Sequence, residues 1–256
     1  MGNLSNIGRI FFGIAIAGMG IPVIYYKDLP YMLVPPKDYG LSGVLIITAG
    51  FIFILIGACM VFKMKIRPVS FIFGSVLLLI FLFLFIPYMF SASANYRHLT
   101  EWENSLKELD LAGGAFLVAG LFSGKNKDVP NPFWGRLIPF GTILFCIPII
   151  SYGILHFQLA KQVAPMVPSW IPGPLFWTYL AGAALLGSAI AIILRIKTGL
   201  VATLLGTMIF IWFIILHIPR VVITPMADDE GEITSAFIAL AYSGIAFMIA
   251  GAAKKV

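Results

Sequence analysis

His217 and Arg220 stand about one helical turn apart at the end of "MIFIWFIILHIPR" (208–220), a run otherwise almost wholly apolar. An imidazole that gains or loses a proton near neutral pH, beside a permanent cation, is the strongest chemical pairing in the chain. Tyr152 and His156 are spaced the same way near the end of another apolar run, and Tyr26 ends a third. Together His217, Arg220, His156, Tyr152 and Tyr26 form a candidate ligand-binding set. In it Arg220 would bind an anion or polarise a quinone carbonyl, and a histidine would handle the accompanying proton. The same residues also suit a plain polar rim, because side chains at helix ends can reach a headgroup layer at little cost. Both readings are open on sequence alone.

Little else in the chain offers chemistry. It has no Walker loop, nucleotide fingerprint, Ser-His-Asp arrangement or pair of catalytic carboxylates, so no catalytic residue is assigned. Three histidines can hold zinc or iron, but His98, His156 and His217 lack ligand spacing, so no metal site is assigned either. Cys59 and Cys146 form no C-x-x-C motif and fall at different depths of their segments, which disfavours a disulfide. The acidic stretch "ADDEGE" (227–232) lacks the twelve-residue calcium-loop pattern and reads as a solvated loop.

The elements that must position these residues follow from composition. Only 11% of the 256 residues are charged and 60% are hydrophobic, against about 25% charged in average globular proteins. A water-exposed surface could not be covered, so the chain is expected to be an integral membrane protein. A spanning helix needs about 20 apolar residues. Eight segments qualify, near 7–26, 41–62, 68–90, 109–123, 134–157, 174–194, 199–219 and 233–252. The fourth is short. "VLLLIFLFLFIP" (76–87) does not alternate as a barrel strand would.

Charge orients the array. With the N-terminus cytoplasmic, eleven of the seventeen basic residues and one acid, Asp128, fall inside, while the other ten acids fall outside. The basic excess marks the cytoplasmic side. The high isoelectric point then reflects topology and not nucleic-acid binding.

The chain also repeats. "GSVLLLIFLFLFIP" (74–87) matches "GTMIFIWFIILHIP" (206–219) at an offset of 132, as do Gly50 with Gly182, Lys63 with Arg195 and Lys65 with Lys197. Gly113 matches Gly244 at 131, "IPVIYY" (21–26) matches "IPIISY" (147–152) at 126, and Gly8 matches Gly135 at 127. The fold expected is all-α: a polytopic membrane protein of eight transmembrane helices in two parallel-oriented four-helix repeats, 1–124 and 125–256. The polar, proline-punctuated stretch 123–132 links them. The fifth segment cannot be a signal sequence, so its counterpart, the first, is expected to be retained. His217 and Arg220 correspond to Phe85 and Tyr88, so the polar pair exists in one half only. Pro22 and Pro148 are expected to kink their helices, "PMVPSWIPG" (165–173) to lie in the outer interface and roof a cavity, and Ala183, Gly187 and Ala191 to form a close-packing stripe.

The second half resembles the DoxX-like membrane proteins. The resemblance is carried by the Gly135-Arg136 start, the helix ending Tyr-Gly-x-x-His-Phe (152–157), the Pro-x-Val-Pro loop (165–168), a Gly/Ala-rich second helix and the Arg-x-Lys turn (195–197). The first half shows it more weakly, through "MLVPP" (32–36), Gly50 and its Lys-x-Lys turn. The resemblance implies a four-helix membrane unit, here duplicated. It also implies an accessory subunit of a quinone- or sulfur-linked membrane redox assembly, since some relatives belong to thiosulfate:quinone oxidoreductases. The expected cofactor is at most a non-covalent quinone. The expected partners are the lipid bilayer and a membrane or redox protein, and the expected home is a prokaryotic cytoplasmic (inner) membrane with both termini cytoplasmic. A non-catalytic scaffold or assembly factor and a small-solute transporter are the alternatives. Relatives that handle disulfides need paired cysteines, which this chain lacks.

Overall fold

A computed structural model describes residues 3–31, 33–35, 39–91, 97–122, 132–223 and 231–253. The linker and most of the acidic loop therefore lie outside the described residues. Among the described residues there is no strand. The long helices are α1 (Asn3–Tyr26), α2 (Gly43–Phe62), α3 (Ile66–Ser91), α4 (Glu103–Leu121), α5 (Pro132–Gln158), α6 (Pro174–Ile193), α7 (Thr198–Ile223) and α8 (Gly231–Ala253). Seven of them are long and apolar enough to cross a membrane.

The exception is α4, which begins earlier than its apolar run suggests and carries Glu103, Lys107, Glu108 and Asp110. The sequence reading placed all four on the outer side of the array. Glu108 and Asp110 are wholly buried, because α4 is held among α3, α5 and α8. Helix α8 is buried along most of its length, whereas α2 buries little of its surface. So α1, α4, α5 and α8 form an inner group and α2, α3, α6 and α7 an outer one. The outer helices expose Val44, Phe62, Phe83 and Val222 almost fully. Such surface is stable against lipid chains and not against water.

Glycines set the inner group's spacing. Gly8 of α1 faces Gly244 of α8, where an added Cβ on Gly244 would lie 2.6 Å from the Gly8 carbonyl oxygen. Gly113 of α4 faces Gly141 of α5, with the same 2.6 Å approach. Gly20 meets Gly50 between α1 and α2, and Gly153 meets Gly182 between α5 and α6. These pairs match Gly8 with Gly141 and Gly20 with Gly153, both 133 residues apart. The sequence matches over the same helices, Gly8 with Gly135 and "IPVIYY" with "IPIISY", have offsets of 127 and 126. The expected stripe is also displaced: Ala183 and Gly187 face outward, and an added Cβ on Gly187 would meet nothing within 4 Å. The packing face of α6 is one residue away, at Gly182.

Pro22 and Pro148 lie inside continuous helices. The irregular turns occur elsewhere. Phe81–Phe85 and Phe213–His217 are π-helical, closed by bonds from the Ile86 N–H to the Phe81 carbonyl and from the Ile218 N–H to the Phe213 carbonyl. Each precedes a proline, Pro87 or Pro219, whose ring would crowd the carbonyl four residues back in an α-helix. A wider turn relieves that crowding.

One end of the bundle is basic. The Arg9 guanidinium donates to the carbonyls of Met60 and Val61 at the end of α2. Arg9 and Lys63 lie over the Phe122 ring, and Arg67 over Trp134. Ser5 touches Gly251, and Gly199 approaches Ala250 and Ala253. The turns after α2 and after α6 therefore share this end. Their bases Lys63, Lys65, Arg195 and Lys197 have φ of 58, 42, 59 and 43°, a conformation that costs most L-residues about 1–2 kcal/mol. Schellman-type bonds hold these turns: the Met64 N–H donates to the Cys59 carbonyl and the Ile196 N–H to the Ala191 carbonyl, at 2.9 and 2.8 Å.

Gly8→Val and Gly141→Val should each lower stability by about 1–3 kcal/mol, the usual range for forced overpacking. Gly187→Val should stay within about 0.5 kcal/mol. Thermal unfolding in detergent measures the contrast.

Candidate functional site

At the end opposite the basic turns lies a cavity of about 480 Å³. Its walls come from α4, α5, α6, α7 and α8, so the second half builds it with one helix borrowed from the first. The lower wall is apolar, through Ile149, Leu185, Ile209 and Ile238. The upper wall is polar and holds four of the five residues singled out from sequence: Tyr152, His156, His217 and Arg220. Met166, from the proline-rich loop after α5, also lines it. Tyr26 does not join them. It is partly exposed at the end of α1, its ring edge-on to Tyr25 at 4.9 Å.

The polar groups are held within and across helices. The His156 Nδ1–H donates to the Tyr152 carbonyl oxygen one turn back at 2.8 Å, which leaves Nε2 as the free ring nitrogen. The Tyr152 and Tyr242 rings are stacked with centroids 6.0 Å apart and hydroxyls 3.2 Å apart. The Tyr152 hydroxyl also reaches the Glu103 carbonyl oxygen at 3.4 Å. His217 is half-buried in the π turn of α7, and its Nδ1 finds no hydrogen-bond partner. Buried polar atoms are rarely left so, and this one borders a cavity.

Sequence reasoning missed what opposes Arg220. Its guanidinium grips the nearly buried Glu232 carboxylate, with Nε 2.5 Å from Oε1 and Nη2 on the same oxygen. The expected role of Arg220 as an anion hook is thereby taken up by the protein's own carboxylate. The signal lay in the spacing: Glu232 starts α8 just as Arg220 nears the end of α7, so an antiparallel pair brings them level. Asp110 was missed too. Its carboxyl faces the hydroxyls of Tyr152 and Tyr242, although neither oxygen meets hydrogen-bond geometry. Lys107, bonded to Asn104 at 2.7 Å, supplies a cation on the same wall.

Phe85, wholly buried and stacked on Tyr31, lies 132 residues before His217, and Tyr88 lies 132 before Arg220. Met19 and Val23, both buried, lie 133 residues before Tyr152 and His156. Cys59 and Cys146 are free thiols. Comparison with protein-family models, curated proteins and solved structures gives no match.

Arg220→Met should destabilise the protein by about 1–3 kcal/mol, since it leaves Glu232 buried without its cation. Adding Glu232→Gln should restore part of the loss. Unfolding of the single and double variants gives the coupling.

Proposed function

We propose that this chain is a DoxX-like integral membrane protein whose cavity binds the head of a quinone, as an accessory subunit of a membrane redox assembly. The supporting observation is the cavity's division into an apolar lower wall and a polar upper wall that carries an unpartnered His217 nitrogen. A quinone head is a flat apolar ring with two carbonyl acceptors, and these surroundings fit it. His217, or the Tyr152–Tyr242 pair, would donate to a carbonyl oxygen. Arg220 and Glu232 would brace the wall, and Asp110 would stand behind the tyrosines as a nearby proton site. When bound, the quinone would accept and release electrons exchanged with a redox partner protein.

The reading extends to topology. Two parallel four-helix repeats account for the paired π turns, the paired left-handed bases and the crossed glycine contacts, each 131–133 residues apart. Eight crossings then include α4, whose acids are shielded by neighbouring helices and not exposed to lipid. A prokaryotic cytoplasmic membrane with both termini inside agrees with the positive-inside rule.

Short-chain quinone titrated into the purified protein should bind at one saturable site. His217→Ala should weaken it about tenfold, the worth of one hydrogen bond, and Tyr26→Phe should leave it unchanged. Binding that never saturates, or that ignores both His217→Ala and the pair Tyr152→Phe with Tyr242→Phe, would exclude the quinone reading.

A second reading is favoured by Glu108, wholly buried with neither oxygen hydrogen-bonded. Buried acids in a bundle often serve ion-coupled carriers. A proton- or cation-coupled solute carrier predicts flux in liposomes that Glu108→Gln abolishes.

A further inference from the structure

At the basic end, between α5, α6, α7 and α8, lies a second cleft of about 710 Å³. Its walls are apolar, through Ile138, Ile143, Ile192 and Ile249, and Arg195 and Lys197 stand at its edge. Among the described residues no acid lines it. Both bases are exposed, and neither forms an ion pair among the described residues.

The corresponding place in the first half is plugged. There Arg9, only 4% exposed, spans to the carbonyls of Met60 and Val61 and lies 5.5 Å from the Phe122 ring centroid. At offsets of 133, 132 and 131 these residues become Thr142, Ile192, Ile193 and Ala253, and all four line the cleft. A guanidinium and a phenyl ring have been replaced by a hydroxyl and a methyl. Thr142 turns back to its own helix, donating to the Ile138 carbonyl oxygen at 2.8 Å. By this correspondence the cleft's Thr142 and Ala253 take the places of Arg9 and Phe122.

We propose that this cleft is a binding site for an anionic phospholipid, with an acyl chain along the isoleucines and the phosphate between Arg195 and Lys197. This rests on reading the chain as a membrane protein and is independent of the quinone pocket. Charge selects the occupant: two unpaired cations and no acid favour a phosphate of net negative charge over a zwitterionic headgroup. Basic pockets between helices near the cytoplasmic face take such headgroups. The left-handed backbone of both bases is better suited to glycine, so keeping cations there serves their charge and not the turn.

The test is native mass spectrometry of the full chain in mild detergent with equal phosphatidylglycerol and phosphatidylcholine. The wild-type protein should retain one phosphatidylglycerol preferentially. Each cation near an anionic surface is worth about fivefold, so Arg195→Gly with Lys197→Gly should reduce retention about 25-fold without lowering the unfolding temperature. Thr142→Arg, which rebuilds the plug, should abolish it, and Lys63→Gly with Lys65→Gly should leave it intact. If one test variant fails to fold, the other decides. Retention unchanged in Thr142→Arg, equal loss in the Lys63/Lys65 pair, or displacement by millimolar inorganic phosphate would each overturn the proposal.

Discussion

The bundle depends on the backbone contacts Gly8–Gly244 and Gly113–Gly141. In lipid, apolar helices gain little by hiding from their solvent, so association rests on close van der Waals fit and on small residues that let backbones meet. Each contact joins the last helix of one half to the first helix of the other. The two contacts therefore close the chain on itself. They bury α1, α4, α5 and α8 and leave the other four helices to face outward. They also fix the axial register of each inner helix, since sliding by one residue would put a side chain where only a hydrogen fits.

That register explains the position of the polar residues. Under the proposed repeat, with α1 and α5 matched through their glycines, Phe85, Tyr88, Met19 and Val23 correspond to His217, Arg220, Tyr152 and His156, and Arg9 and Phe122 correspond to Thr142 and Ala253. Both described cavities lie among α5, α6, α7 and α8, and α4 adds its own groups, Glu103, Asn104 and Lys107, to the lining of one of them.

Much of this was legible in the sequence. Seven of the apolar runs match helices long enough to cross a membrane to within a few residues, because lipid requires long unbroken spans, while the fourth starts six residues earlier than its run. The grouping of His217, Arg220, His156 and Tyr152 followed from their common position at the ends of such runs. Tyr26 was grouped with them because "IPVIYY" and "IPIISY" look alike locally, but the close helix contacts run through single glycines such as Gly20 and Gly153. Glycines leave no hydropathy signal, and their partners lie on other helices. The burial of Glu108 and Asp110 was not legible for a related reason: charge near a helix start reads as solvent-facing unless the neighbours that enclose it are known. The π turns were invisible because their residues are as apolar as those of any α-helical turn.

The central claim is that both halves run the same way, with their basic turns on one side of a membrane. Single cysteines at Lys65 and Lys197, in a background lacking Cys59 and Cys146, can be probed on intact cells with a membrane-impermeant maleimide. Trp170→Cys, on the exposed loop at the other end, serves as the outward reference. The account predicts that Trp170→Cys is labelled at once and that both turn cysteines react only after the membrane is opened. Labelling of one turn from outside while the other stays protected would contradict it.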